Sequence, residues 1–336
     1  MTMTHAHPLR TAPTTALADE PHPSILRPLD LLPADEPLRP YPPLHRWRFS
    51  PGVRLVAFVV AVALTIGVLM GAALLINPRL LRSWLLVRLA ELVAVVAGFA
   101  VLMVVERRRP VELAPRRWTG LLWGLLLGAG LCSVVIGILA VLGSYRVLGV
   151  NASYPFWPAL VSTGLVAAVA EELAFRGVLF RLAEDVLGTW AALALSALVF
   201  GLSHLGNPDA TLWGAVAIAL EAGLLFAALY AVTRSLWWTM GLHFAWNVVQ
   251  GPVYGSVVSG SGGASGYLRA QFTGPAWLTG GSFGIEGSVL TVVLLTAVGV
   301  WLLVLIRRRG IAVSPYWVRR RVLTARTAQV DPALQA

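Results

Sequence analysis

Lysine is missing from all 336 residues, so every one of the 26 basic side chains is an arginine. That absence reads as the base composition of a GC-rich genome and carries no chemistry. Cysteine occurs once, as Cys132 in an apolar stretch, which rules out an intrachain disulfide and argues against cysteine-ligated metals and a cysteine nucleophile. Charged residues make up only 12%, too few to cover a soluble globule of this length. No apolar core precedes a small-residue cleavage site near the N-terminus, so no signal peptide is read and the first span is expected to be retained. There is no Gly-x-Ser-x-Gly turn for a serine nucleophile, and no pair of related halves of the kind many secondary transporters show.

What is present is apolar. Hydrophobic residues reach 57% and the mean hydropathy is +0.74, which describes an integral, multi-pass membrane protein. A helix needs about 20 apolar residues to span a bilayer. Eight stretches qualify: 55–77, 84–105, 120–142, 157–182, 190–206, 211–233, 236–256 and 285–306. The expected fold is therefore all-α, a polytopic bundle of about eight transmembrane helices. Arginines cluster at the ends of these stretches, which speaks for a lipid bilayer as partner and against nucleic acid. If the N-terminus is cytoplasmic, seventeen arginines flank the inner ends and four (Arg79, Arg82, Arg146 and Arg269) lie in outer loops. That imbalance places both termini in the cytoplasm, and the composition suggests a bacterial cell membrane.

Residues 1–50 hold ten prolines, mixed charges and no apolar period, and are read as a disordered cytoplasmic tail. Residues 51–310 are expected to form the membrane domain and 311–336 a basic cytoplasmic C-terminal tail. The connection 257–284 is rich in glycine and serine and reads as a mobile loop without a packed core, a lid or a passive linker.

Ionisable residues are costly inside spans, by about 3 kcal/mol each on insertion scales, so those that occur there need partners or a task. Glu171 and Glu172 sit in such a span with Arg176. Glu172 and Arg176, four apart, share a helix face in the favourable order for an ion pair, whereas Glu171 is turned by about 100° and must find company elsewhere. Both carboxylates could equally be structural. Of six histidines only His204 and His243 fall in spans. His204 follows Phe200 by one turn, and His243 precedes Asn247 by one turn. Carboxylate, two imidazoles and an amide on three helices could converge on one cavity, either holding a divalent metal or activating water directly. Ser203 adjoins His204 but projects about 100° away from it, which disfavours a serine mechanism. Arg88 with Glu91 reads as a structural pair and Glu221 has no local partner. Glu286 is expected at the start of the last helix, and Trp237 and Trp238 in an interfacial belt.

Glu-Glu-x-x-x-Arg, Phe-x-x-x-His and His-x-x-x-Asn on successive membrane segments resemble the three motifs of the CPBP family of intramembrane proteases. That family includes the type II CAAX prenyl endopeptidases and bacterial relatives linked to bacteriocin processing or self-immunity (the ABI group). The resemblance covers about residues 157–250. It implies an intramembrane endopeptidase, a hydrolase of the metalloprotease class, with an eight-helix bundle whose cavity opens toward the cytoplasm. Glu171 would activate the water and His204 would act with it as base or metal ligand. His243 and Asn247 would complete a metal site, zinc being one candidate, or donate to the oxyanion, while Glu172 and Arg176 form a structural ion pair. The substrate would be a peptide or membrane protein. The rival is a non-catalytic binding or immunity protein using the same cavity. A mid-membrane Glu171 and His204 against a His243 nearer the cytoplasmic end leaves a spread of about 10 Å to be closed.

Overall fold

A computed structural model describes residues 50–321. Its helices are α1 (Pro51–Ile76), α2 (Trp84–Glu106), α3 (Thr119–Val141), α4 (residues 156–187), α5 (residues 189–203), α6 (Leu212–Thr233), α7 (Leu236–Val248, continued to Val253 by a wider turn) and α8 (Val289–Arg308). Local chemistry sets several ends. Pro51 opens α1, where a missing N–H costs nothing, and the Ser83 hydroxyl accepts from Leu86 N to start α2.

The helical run Phe156–Gly206 leaves helical geometry at Gly188, where φ is 79°. Only glycine fits there: besides the left-handed φ, a Cβ would meet the Val313 carbonyl at 2.7 Å. Thr189 N bonds that same carbonyl at 3.0 Å, so residues 311–315 clamp the break between α4 and α5.

Among the described residues six helices are long and apolar enough to cross a membrane, not specifically eight. The count differs from the sequence expectation because Phe156–Gly206 registers as one run despite Gly188, and because the regular part of α7 has only 13 residues. Predominantly helical describes the fold better than all-α. Tyr145–Val150 (β1) pairs antiparallel with Leu268–Phe272 (β2), from Tyr145 opposite Phe272 to Val150 opposite Leu268, with an irregularity near Gly149.

Without a hydrophobic drive between helices in lipid, close packing depends on small residues. On α3, Gly120, Gly124 and Gly128 lie one turn apart against α7, and a Cβ at Gly124 would meet Trp238 O at 2.3 Å. Trp238 itself packs on Gly120, so it belongs to this helix contact and not simply to an interfacial belt.

One end of the bundle is tied by buried charge. Arg54 reaches Glu106 and Asp185, both at 3.0 Å, Arg181 meets Glu106 at 2.9 Å, and Arg108 holds Glu106 and Glu112 at 2.6 and 2.7 Å. Arg234 grips Glu184 with both terminal nitrogens. Residues 311–321 join this layer through Arg319, which is buried and donates to Asp185 O. The remainder of the expected C-terminal tail, and the N-terminal tail before residue 50, lie outside the described residues.

The opposite end carries the β1–β2 ribbon and the 257–287 connection. That connection is not the coreless loop expected from its composition. Phe283 and Ile285 are buried, and Glu286 lies in a short turn before α8, inside the protein. Its carboxylate accepts from Trp246 Nε1 and Gln250 Nε2, each at 3.1 Å, and from the Ser259 N–H and hydroxyl. Glu286 is therefore a tie between the connection and α7, not a helix-dipole residue.

Candidate active site

Two helices that build the site and its surroundings are distorted near it. In α4 the turns widen over Leu160–Val166 and again over Leu173–Phe180, and in α6 over Ala219–Gly223. Such wide turns displace backbone carbonyls from their usual partners. In α6 the displaced carbonyls of Ala222 and Gly223 accept from Arg176 Nη2 at 3.2 and 3.3 Å. Gly164 lets α4 and α7 touch, since a Cβ there would meet Val248 at 2.6 Å and Phe244 at 2.8 Å. That contact delivers the Thr163 carbonyl to Asn247 and brings Glu171 and Glu172 opposite His243.

Glu171, His204, His243 and Asn247 line one cavity of about 500 Å³. His243 Nε2 lies 3.9 Å from Glu171 Oε2, so the anticipated spread of about 10 Å between these two is closed. Arg88, Glu91 and Ser203 also line it. Arg88 and Glu91 form an ion pair at 2.5 Å, partly exposed to the cavity.

Glu172 and Arg176 are completely buried and paired at 2.8 Å. The guanidinium is further held between Phe200 and Phe226, 4.4 and 5.1 Å from the ring centres. The structural pair expected from spacing is present, and Glu172 does more than that. The same oxygen that meets Arg176 lies 3.0 Å from His243 Nδ1. A carboxylate can only accept there, so Nδ1 carries a proton and Nε2 is the ring nitrogen left to face the cavity. No sequence signal announces this link, because 71 residues separate the partners.

His243 Nε2 faces Glu171 Oε2 at 3.9 Å, and that oxygen has no hydrogen-bond partner of its own. His204 is fixed by similar logic. Its Nδ1 lies 2.8 Å from Phe200 O, a carbonyl that must accept, which leaves Nε2 as the free ring nitrogen. Ser203 donates to that carbonyl at 2.7 Å, so its hydroxyl proton is engaged away from the imidazole. Asn247 Nδ2 donates to Thr163 O at 3.1 Å, leaving a second N–H and the amide oxygen.

The residues 153–249 match the family model described as Type II CAAX prenyl endopeptidase Rce1-like. The chain contains a Rce1-like CAAX protease domain. The matched stretch, under a third of the chain, includes all seven motif residues from Glu171 to Asn247. No curated protein matches the chain. The Rce1-like domain and the six apolar helices together support a protease fold within the membrane.

Among the described residues no three or more His, Cys, Asp or Glu side chains come together as a metal-holding group. Glu171, His204, His243 and Asn247, the expected ligands, share the one cavity. Glu221 is buried with neither carboxylate oxygen hydrogen-bonded, and it does not line the cavity.

The cavity lies toward one end of the bundle. Its lining residues come from the start of α2, the start and middle of α4, the end of α5 and the residues after α7. All of these lie toward the ribbon end, away from the buried charge layer.

Proposed function

We propose that this protein is an intramembrane endopeptidase that hydrolyses a peptide bond of a membrane-associated peptide or protein with water activated by Glu171. The observation that carries this is the gap between Glu171 Oε2 and His243 Nε2. At 3.9 Å it is too long for a direct hydrogen bond and suits one water hydrogen-bonded to both. That water attacks the scissile carbonyl carbon while its proton passes to Glu171, which then returns it to the leaving amine as the C–N bond breaks. His243, oriented by Glu172, aligns the water. The free Asn247 N–H is available to the developing oxyanion, and His204 Nε2 accepts from the substrate amide or a second water. No covalent intermediate forms.

The bundle crosses the membrane eight times in this proposal. The Phe156–Gly206 run supplies two crossings hinged at Gly188, and α7 supplies one through its extension to Val253. Both termini then share one side, which the arginine distribution assigns to the cytoplasm.

The decisive experiment is cleavage of peptides by the purified protein in lipid, with Glu171→Gln beside the wild type. Glu171→Gln should abolish hydrolysis, by at least about 10²-fold, and leave the protein folded, since Glu171 anchors no other side chain. Equal rates would remove Glu171 from the chemistry. A wild type that binds peptides and cleaves none would favour the binding or immunity protein.

A further inference from the structure

We propose that the Glu171–His243 cavity is entered from the extracytoplasmic side of the membrane. Its substrate would then be a peptide segment presented at the outer surface, either an exported chain or an outer loop of a membrane protein. The substrate class rests on the protease reading, whereas the side of access does not.

Two independent observations meet here. The first is where the charges lie. The end of the bundle that holds the buried ion-pair layer also displays exposed arginines, among them Arg107, Arg109, Arg116, Arg307, Arg308 and Arg321. Among the described residues the ribbon end has Arg79, Arg82, Arg146 and Arg269, together with Arg88, which is paired with Glu91 in the cavity. Retention of arginine-rich flanks in the cytoplasm counts positive residues near helix ends and is insensitive to acidic ones. The internal pairing of Arg54, Arg108, Arg181 and Arg234 therefore leaves the bias standing.

The second is where the cavity opens. His204 ends α5, whose first residues lie in the charge layer, and Arg88 belongs to the first turns of α2, whose last residue is Glu106 in that layer. The rim is completed by Asn207 and by Val258, Ser259 and Ser261 of the connection, all at the ribbon end. Asn207 Nδ2 donates to Ser259 O at 2.6 Å, which fixes the rim across the mouth. From Arg234 at the charge layer to His243 is nine residues, about 13 Å of helix. The charge layer and the packed helix ends below the site thus separate the cavity from the arginine-rich face.

The single cysteine makes a direct test possible. Cys132 is fully buried and is expected to be silent to thiol reagents. In intact cells, Ser261→Cys at the rim should react with a membrane-impermeant maleimide, while Arg308→Cys should react only after permeabilisation. Ala264→Cys, exposed on the same connection, serves if Ser261→Cys folds poorly. The opposite pattern, rim labelled only after permeabilisation, overturns the proposal whatever the enzyme cleaves. A quenched peptide pool added outside intact cells then separates the two claims. Cleavage that needs Glu171 and no permeabilisation supports the substrate class. Outside labelling without any cleavage overturns the substrate class and keeps the side of access.

Discussion

Glu172→Gln gives the sharpest test of how the site is built, because one oxygen serves two partners. Glu172 Oε1 receives Arg176 Nη1 at 2.8 Å and His243 Nδ1 at 3.0 Å, while Oε2 has no hydrogen-bond partner. A glutamine can keep its oxygen in the shared position and place its amide nitrogen where Oε2 was, so the shape survives and the charge does not. Arg176 is then a fully buried cation without its counter-ion. Breaking a buried pair from one side costs about 3 to 5 kcal/mol. The two carbonyls and two phenyl rings that remain around the guanidinium hold the loss near the lower figure. About 3 kcal/mol is on the order of a hundredfold in the unfolding equilibrium, measurable by denaturant titration in mixed micelles. Glu172→Gln with Arg176→Met removes both charges and should recover most of that stability, since apolar replacement of a buried pair is often neutral or better. It should not recover activity, because His243 still lacks the carboxylate that sets its tautomer, a loss of up to about 10⁴ where a buried carboxylate plays this part. A single variant within about 0.5 kcal/mol of wild type, or a double variant with full activity, would refute the shared-oxygen account.

Two further outcomes follow from the contacts. Asn247→Asp sets a carboxylate oxygen against Thr163 O and should lower activity at least about 10²-fold; an active variant with stoichiometric divalent metal, read by elemental analysis, would instead make the Asn247 oxygen a metal ligand. Glu286→Ala strands the donors on Trp246, Gln250 and Ser259, at about 1 to 3 kcal/mol for each buried group, so amide exchange across residues 256–266 should quicken at least tenfold.

The chemistry of the site was more legible in the sequence than its surroundings. Glu171, Glu172, Arg176, His204, His243 and Asn247 stand out because polar groups in apolar spans are rare, and helical spacing alone predicts the Glu172–Arg176 pair. Tertiary links leave no such mark. Glu172 to His243 spans 71 residues, and Arg234 to Glu184 spans 50. Arginines at helix ends look like interfacial flanks whether or not they turn inward, so the charge layer stayed hidden. Composition misled at 257–284, where glycines meet tight backbone approaches: a Cβ at Gly284 would meet Val257 O at 2.0 Å. The helix count was unclear for a local reason, since a single glycine at 188 turns one 51-residue run into two pieces.

The charge layer also bears on the order in which the chain can become a protein. Arg54 has its first partner, Glu106, once α2 has emerged, but its second, Asp185, arrives only after α4. Glu184 waits longer, until Arg234 follows α6 out of the ribosome. The helices that hold Arg54 and Glu184 thus enter the bilayer with a charge that a later helix pairs. The domain locks at its charged end only when the same stretch of synthesis begins the helix that bears His243. A partly made chain would therefore expose free carboxylates and guanidiniums at the membrane surface until the later helices arrive.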